Sequence, residues 1–232
     1  MSSCTIQAVL AGRVKPFGPN GEPSAIRKTP SAGPVMLAPL GLEGDEHAYH
    51  GHGGPDKALL QYATEHYRMW KELLPGFDLA GGGFGENVPT SGLTEATVCV
   101  GDRYRIGRRA IVELSQPRQP CWKLGYNAGQ REIPRLMQEH AAPGWYYRVI
   151  EPGPIAPGDR MELLERPLPD WTIERVIRGF YGSPMDEAFL ESLVDLHALG
   201  AEWRTAAKQR SESGEVEDWQ NRLYGPLAAE GG

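Results

Sequence analysis

Glycine and proline interrupt this chain so often that long regular elements are not expected over most of it. The 232 residues include 29 glycines and 20 prolines, most of them before Gly158 and without a repeating period. Apolar runs lie between them, so the pattern indicates short strands joined by tight turns rather than disorder. Many short strands with few intervening helices predict a barrel or folded sheet, not a doubly wound parallel fold.

The hydrophobic pattern predicts where these elements lie. We predict strands at residues 5–14, 24–29, 35–38, 97–100, 103–106, 110–114, 144–150 and 160–164, and helices within 64–74 and 131–140. Thr64 is a suitable N-cap for the first helix, and Pro75 with Gly76 ends it. Pro134 is acceptable only in the first turn of the second helix.

The chain changes character after a proline-rich segment. We predict a β-barrel-like domain over residues 1–166, a linker at 167–170, a helical domain over 171–225 and a frayed tail at 226–232. The helical domain would hold three helices, at 171–178, 185–199 and 201–210, with Ser183 and Pro184 opening the second. The fold class is therefore α+β. A unit of this size does not fold reliably alone, so it should pack on the main domain, a partner or another subunit.

Composition narrows the function classes. Hydrophobic residues make up 40% and charged residues 23%, as in a globular protein with a substantial core. The net charge of −6 argues against binding a nucleic-acid backbone. The N-terminus lacks a basic signal-peptide region, and no apolar run approaches the about 18 residues of a membrane span. We therefore expect a cytoplasmic protein that binds neither nucleic acid nor membrane.

Cys121 is the strongest candidate for chemistry. It stands in Gln116-Pro117-Arg118-Gln119-Pro120-Cys121-Trp122-Lys123-Leu124, where two prolines stiffen the backbone and disfavour a central strand. Arg118 and Lys123 flank the sulfur and favour the thiolate, which attacks electrophiles or ligates a soft metal. The alternative is a cysteine that only packs, which we expect of Cys99. Three cysteines without a Cys-x-x-Cys pair argue against disulfides and structural zinc.

A second cluster runs from Gly41 to Leu59. The spacing of His47, His50 and His52 fits no common zinc motif, so a dedicated zinc site is disfavoured. Instead, Gly53 and Gly54 could let the backbone approach an anion, with Lys57 adding charge and His52 a proton-transfer group. The alternative, without any ligand, is a tight turn with a solvated lysine.

Two smaller pieces complete the set of candidates. Arg27 and Lys28 are adjacent on an extended segment, so only one of them can point toward a given pocket. Asn87, in Gly83-Phe84-Gly85-Glu86-Asn87-Val88, could bind a ligand or merely satisfy its loop.

Taken in order, these pieces resemble a known family. The motifs are Ile26-x-Lys28, Gly41-Leu42-x-Gly44-Asp45, His52-Gly53-Gly54-x-Asp56-Lys57-Ala58, Phe84-Gly85-Glu86-Asn87 and Gln116-Pro117-Arg118-x-Pro120-Cys121-x-Lys123-Leu124. They look like the MOSC domain, named for the C-terminal region of molybdenum cofactor sulfurase. The chain is most similar to the bacterial 6-N-hydroxylaminopurine-detoxifying subgroup with a C-terminal three-helix domain, and Asn221-Arg222-Leu223-Tyr224-Gly225 agrees with that subgroup too.

The resemblance implies a β-barrel-like core that binds a molybdopterin-type molybdenum cofactor. Cys121 would ligate the molybdenum, and His52 would contact the pterin or deliver a proton; these two are the expected catalytic residues. The expected cofactor-binding residues are Lys28, His52, Gly53, Gly54, Lys57, Asn87, Arg118, Cys121 and Lys123. Their cations suit the anionic phosphate of the cofactor.

The implied activity is a two-electron reduction that cleaves the N–O bond of a small N-hydroxylated compound. Since the chain shows no dinucleotide fingerprint and no cysteine cluster, a separate flavin or iron–sulfur reductase should supply the electrons. The helical domain is a possible docking surface, or a homodimer interface. Two alternatives stay open: a carrier of cofactor or sulfur without turnover, and a metal-free thiol enzyme using Cys121 and His52.

Overall fold

The computed structural model describes residues 3–225 of the chain. The described strands are β1 (Ser3–Thr5), β2 (Leu10–Ala11), β3 (Lys15–Phe17), β4 (Glu22–Ser24), β5 (Thr29–Pro30), β6 (Val35–Ala38), β7 (Gly41–Leu42), β8 (Leu59–Ala63), β9 (Val88–Thr90), β10 (Arg103–Ile106), β11 (Ala110–Pro117), β12 (Trp145–Glu151), β13 (Gly153–Ile155) and β14 (Arg160–Glu165). The described α-helices are α1 (Glu65–Leu73), α2 (Trp122–Ala128), α3 (Ile133–Glu139), α4 (Ile173–Gly182), α5 (Glu187–Asp195), α6 (Ala201–Ser213) and α7 (Gln220–Tyr224). None of these helices is long and apolar enough to cross a membrane.

A seven-stranded sheet forms a barrel-like core. Its order is β1-β14-β10-β11-β12-β8-β9, and every pair is antiparallel except β8 with β9. Ile6, directly after β1, forms an antiparallel bridge with Thr90 at the end of β9, so the two edges meet. The edges of the sheet are thereby paired rather than exposed. The predicted barrel-like α+β fold is confirmed.

Strand β8 separates two apolar cores. Leu59 and Ala63 face the larger core inside the barrel, and Tyr62 faces a smaller core that contains Trp70 and Phe84. Because both faces of β8 are covered, all five of its residues are buried. A run without alternation is typical of such a strand, and the sequence analysis did not identify it.

Several element predictions were wrong, mainly at the edges of the barrel. The single strand expected at 5–14 is split between β1 and β2, and the strand expected at 24–29 leaves the extended pattern after Ser24. The strand expected at 97–100 is a turn, in which Cys99 is buried and forms one isolated bridge with Thr172. Helices α1 and α3, β6 and β10 agree with the predictions, whereas helix α2 was missed.

The helical domain packs on the barrel. Buried residues of α4 and α6, such as Phe180 and Trp203, belong to the same apolar cluster as the barrel interior. The prediction for the start of the second helix was wrong, since Ser183 ends α4 and the side chain of Asp186 caps α5. A further helix, α7, contacts α2 and α3 of the first domain. The predicted tail at 226–232 lies outside the described residues.

Candidate functional site

A cavity lies against the outward face of the barrel at β8 and β12. Leu60 and Tyr146 are cross-strand partners there and line its floor. Seven of the predicted site residues line the same cavity: Lys28, His52, Lys57, Asn87, Arg118, Cys121 and Lys123. Loops from four separate parts of the chain therefore meet at one place.

Cys121 lies where β11 passes into α2. Strand β11 continues past the predicted end at Leu114 to Pro117, which still pairs with Trp145. Cys121 is the extended N-cap residue of α2, and its thiol is partly exposed. The other two cysteines are buried, and burial raises the pKa of Cys4 to about 11 and also raises the pKa of Cys99. Among the three thiols, only that of Cys121 lines the cavity.

Lys28 forms a buried ion pair with Asp45, which we call the barrel pair. Their side chains are only 7% and 2% exposed. Asp45 also accepts a hydrogen bond from the Gly12 backbone at 2.8 Å and one from Nδ2 of Asn87 at 2.8 Å. Burial lowers the pKa of Lys28, and the charge and hydrogen bond of Asp45 oppose that effect. Arg27 points elsewhere and donates to Asn127, so only one of the two adjacent cations faces the cavity.

Asn87 holds this arrangement together. Its Oδ1 accepts from the backbone of Leu60 at 3.0 Å, and its Nδ2 donates to the carbonyl of Leu10 and to Asp45. Both amide hydrogens are thus used within the protein. Asn87 therefore acts by orienting Asp45, although its side chain also borders the cavity.

Lys57 forms a second ion pair, with Glu202 of α6, which we call the junction pair. Its Nζ also donates to the carbonyl of Gly51 at 2.5 Å. The Lys57 side chain is 13% exposed, whereas that of Glu202 is 46% exposed. The helical domain thereby contributes a charge at a cavity residue, which the sequence analysis did not anticipate.

Arg118 is the least satisfied cation of the cavity. It is 8% exposed, and its Nη1 has no hydrogen-bond partner among the described residues. Its backbone N–H donates to the carbonyl of Gly144 at 2.9 Å, which anchors the segment after β11. A buried guanidinium without an acceptor is costly, so this side chain is suited to receive an anion.

His52 is surrounded by positive charge. Burial and the cations Arg118, Lys123 and Lys57 lower its pKa to about 4. Its imidazole is therefore neutral at pH 7 and packs edge-on against Tyr49 at a centroid distance of 5.4 Å. A negative charge in the cavity would favour the protonated form.

The two adjacent glycines do not line the cavity. Gly54 adopts a φ of 103° before the short 3₁₀ turn Pro55–Lys57, a conformation that favours glycine. A side chain at Gly53 would collide with the ring of His47. Here the turn interpretation is the better one for the glycines, while Lys57 itself is bound rather than solvated.

His47 and Tyr146 are titratable cavity residues that were not predicted. His47 was set aside because it falls on no motif position, yet it lines the cavity and burial lowers its pKa. Tyr146 lies on β12, and burial raises the pKa of its hydroxyl. An aromatic residue on an alternating strand carries no signal of its own; only the pairing of β12 with β8 brings Tyr146 here.

The helical region also supports the cysteine loop directly. Nε1 of Trp203 donates to the carbonyl of Pro117 at 3.1 Å, and Nη1 of Arg222 donates to the carbonyl of Pro120 at 2.6 Å. These bonds fix the backbone on the approach to Cys121. Lys123, two residues after it, donates to the carbonyl of Pro23 at 2.6 Å and so ties α2 to β4.

Within the part of the chain that the structure describes, no group of three His, Cys, Asp or Glu side chains could hold a metal ion. The cavity instead offers one accessible thiol among cations. This donor set fits an anionic, metal-carrying organic cofactor whose own atoms supply the other metal ligands, with one protein thiolate added.

Comparison with known proteins agrees with the motifs. The family description "MOSC domain" matches residues 48–162, and "YiiM-like, 3-alpha helix domain" matches residues 171–214. Protein YiiM of Escherichia coli strain K12 is 39% identical over 220 residues, covering 94% of this chain and 97% of that protein. A protein named Reductase from Gibberella moniliformis is 42% identical over 178 residues, which cover 74% of this chain but 32% of that protein.

Solved structures agree as well. YiiM from Escherichia coli superposes with a TM-score of 0.78 at 33% identity, covering 94% of this chain and 98% of that one. YiiM from Geobacillus stearothermophilus gives a TM-score of 0.77 at 33% identity, covering 90% and 99%. The fold and the similarity together define a MOSC-domain protein. The chain belongs to the MOSC domain family, in the YiiM-like group that carries the three-helix domain, as its motifs predicted.

Proposed function

We propose that this chain is a molybdenum-cofactor-dependent reductase of small N-hydroxylated compounds such as 6-N-hydroxylaminopurine. The observation that carries the proposal is the cavity itself, which is lined both by the partly exposed thiol of Cys121 and by Arg118, whose Nη1 has no partner among the described residues. A reductase among the curated relatives supports the redox class. The overall reaction is RNHOH + 2e⁻ + 2H⁺ → RNH₂ + H₂O.

Each cavity residue has a distinct task in this proposal. Arg118 and Lys57 would bind the anionic phosphate of the cofactor, and the thiolate of Cys121 would ligate its metal. When bound, the cofactor would supply the two-electron chemistry. Lys123 would add positive charge, whereas the barrel pair would shape the cavity without offering a free cation.

Protons for the reaction have two candidate donors. The hydroxyl of Tyr146 is protonated at neutral pH, as in any tyrosine, and burial raises its pKa further. His52 is neutral in the cavity as it stands, since its pKa is lowered to about 4. Anion binding next to Arg118 would raise that pKa and turn His52 into a proton donor. The helical domain or another surface would receive the flavin or iron–sulfur reductase that supplies electrons.

The geometry gives less support to a metal-free thiol enzyme. That mechanism needs His52 to take the proton of Cys121, and no hydrogen bond joins these two described side chains. A base with a pKa of about 4 is also weak at neutral pH. A carrier without turnover uses the same residues as the reductase, so measurement of turnover separates the two.

The test begins with cofactor content. The protein, purified from a cofactor-producing host, should contain molybdenum and pterin, and Cys121→Ala should lose the metal. Cys99→Ala is the matched control, because that thiol is buried away from the cavity.

Turnover is measured next, with 6-N-hydroxylaminopurine and a reduced flavin or iron–sulfur donor. We expect reduction by the parent and the control and none by Cys121→Ser. Retained reduction in Cys121→Ser would overturn the proposal. Stoichiometric cofactor without reduction of any N-hydroxylated compound would establish the carrier instead.

A further inference from the structure

The junction pair joins a cavity lysine to a carboxylate of another domain. Lys57 is nearly buried, and its Nζ remains anchored by the carbonyl of Gly51. Its partner Glu202 is half exposed, so its carboxylate can rotate toward the solvent and be hydrated there. The pair can therefore open from the glutamate side while the lysine stays in place.

Glu202 is held at the cavity by the start of α6. The backbone N–H of Ala201 donates to Oδ2 of Asp56 at 3.2 Å, and that of Gly200 donates to the carbonyl of Ser115 at 2.9 Å. Arg148 bonds Oδ1 of the same aspartate at 2.8 Å and the carbonyl of Ala198 at 3.0 Å. These contacts fix the start of α6, which carries Glu202, next to Lys57. The ion pair is therefore a feature of the domain junction.

The other cavity cations are held differently. Lys28 is paired with a buried aspartate that has two further donors. Lys123 donates to a backbone carbonyl, and Nη1 of Arg118 has no partner within residues 3–225. Among these described cations, Lys57 is thus the one that is paired with a solvent-accessible carboxylate.

We propose that Glu202 is an exchangeable counterion: it neutralises Lys57 until a phosphate-bearing ligand enters the cavity, and then gives up Lys57 to that phosphate. The inference rests on the proposed function only in requiring an anionic ligand. It makes Glu202 a residue that sets the affinity and selectivity of the cavity for anions, because a neutral ligand gains nothing from the exchange. The helical domain thereby takes part in ligand selection.

The test measures binding of inorganic phosphate at low ionic strength to protein from a host that makes no molybdenum cofactor, followed by NMR of the His52 imidazole signals. Glu202→Gln removes the competing charge and should tighten phosphate binding by about five-fold, as expected for a half-exposed ion pair. Glu212→Gln is the matched control, because Glu212 lies on the same helix, is 65% exposed and pairs with the exposed Lys208. It should leave phosphate binding unchanged.

A double-mutant cycle with Lys57→Met shows whether the effect passes through the lysine. Lys57→Met should weaken phosphate binding, and Glu202→Gln should then have no further effect. Equal affinities of Glu202→Gln and the parent, or the same tightening in the Lys57→Met background, would overturn the exchange. Failure of both the parent and Glu202→Gln to bind phosphate would overturn it as well.

Molybdenum and pterin content of the same variants, purified separately from a cofactor-producing host, separates this inference from the proposed function. Phosphate exchange at Lys57 without any molybdenum or pterin would support the counterion and contradict the reductase. Cofactor present, with phosphate affinity insensitive to Glu202, would contradict only the counterion.

Discussion

The barrel pair and the junction pair hold two cavity lysines in opposite ways. Asp45 is buried, comes from the barrel and is fixed by two further hydrogen bonds, so Lys28 cannot leave it without stranding a charge. Glu202 is half exposed, comes from the helical domain and can be solvated when Lys57 is released. A lysine and a carboxylate thus form a buried, fixed ion pair in one case and a half-exposed ion pair in the other.

The comparison shows that the presence of an ion pair is not enough to describe a cavity lysine. Burial of the carboxylate determines how costly it is to separate the two charges. Both lysines fall on family motif positions, and both are cations in the sequence. The two differ in the environment of the partner: the carboxylate of Lys28 is buried, and that of Lys57 is half exposed.

Removing the carboxylate of the barrel pair should have the largest effect. Asp45→Ala leaves the buried ammonium of Lys28 unpaired and takes an acceptor from Asn87 and Gly12. We expect a loss of about 3 to 5 kcal/mol in the free energy of unfolding, measured by urea titration at pH 7. Glu202→Ala, the matched change in the junction pair, should cost about 1 kcal/mol or less. Similar losses for the two variants would remove the distinction between the pairs.

Weakening the contact between α7 and the segment before Cys121 should have an intermediate effect on stability. Arg222→Met deletes the hydrogen bonds to the carbonyl of Pro120 and to Oε1 of Gln138. We expect a loss of about 2 kcal/mol in stability and faster iodoacetamide labelling of Cys121, because the loop before the thiol loses an anchor. Arg204→Met is the control, since Arg204 bonds the carbonyl of Leu199 within its own domain. Unchanged labelling in Arg222→Met would mean that the barrel alone positions Cys121.

The smallest effect concerns the charge of His52. Its pKa of about 4 should appear in an NMR titration as an imidazole signal that is constant from pH 8 to about pH 5. Arg118→Gln removes the charge that lowers this pKa most and should shift the titration upward. Added phosphate should have the same effect. A titration near the ordinary value of 6.5 in the parent would show that the cavity is more solvated than the structure indicates.

The pH dependence of stability follows from the same pKa. Between pH 6.5 and about 4 the unfolded chain protonates His52 while the folded chain does not, so stability falls as the pH falls through this window. His66 acts in the opposite sense. Burial alone would lower its pKa, but the hydrogen bond and charge of Glu95 outweigh burial and raise it. Its contribution is complete below pH 6.5 and is lost as the pH rises through its folded pKa.

Much of the site could be predicted because its residues carry chemistry in short motifs. Cys121, Arg118, Lys57, Lys28 and His52 were all identified from local context, and the structure brings them to one cavity. Tyr146 and Glu202 escaped because nothing near them in the chain distinguishes them. Gly53 and Gly54 do not line the cavity, and their role stays a prediction, because a glycine pair that turns the backbone looks the same in sequence as one that approaches a ligand.

The sequence by itself determined the class of fold and the family, because turn residues, apolar periodicity and motif spacing are local properties of the chain. It also determined which cations and which thiol would be candidates for the site. Only the tertiary structure decided that β8 is buried on both faces and that Asn87 serves Asp45. The same holds for Glu202, which meets Lys57 from a separate domain. These features depend on contacts between distant segments, and burial, which sets the strength and reversibility of an ion pair, exists only after the segments have packed together.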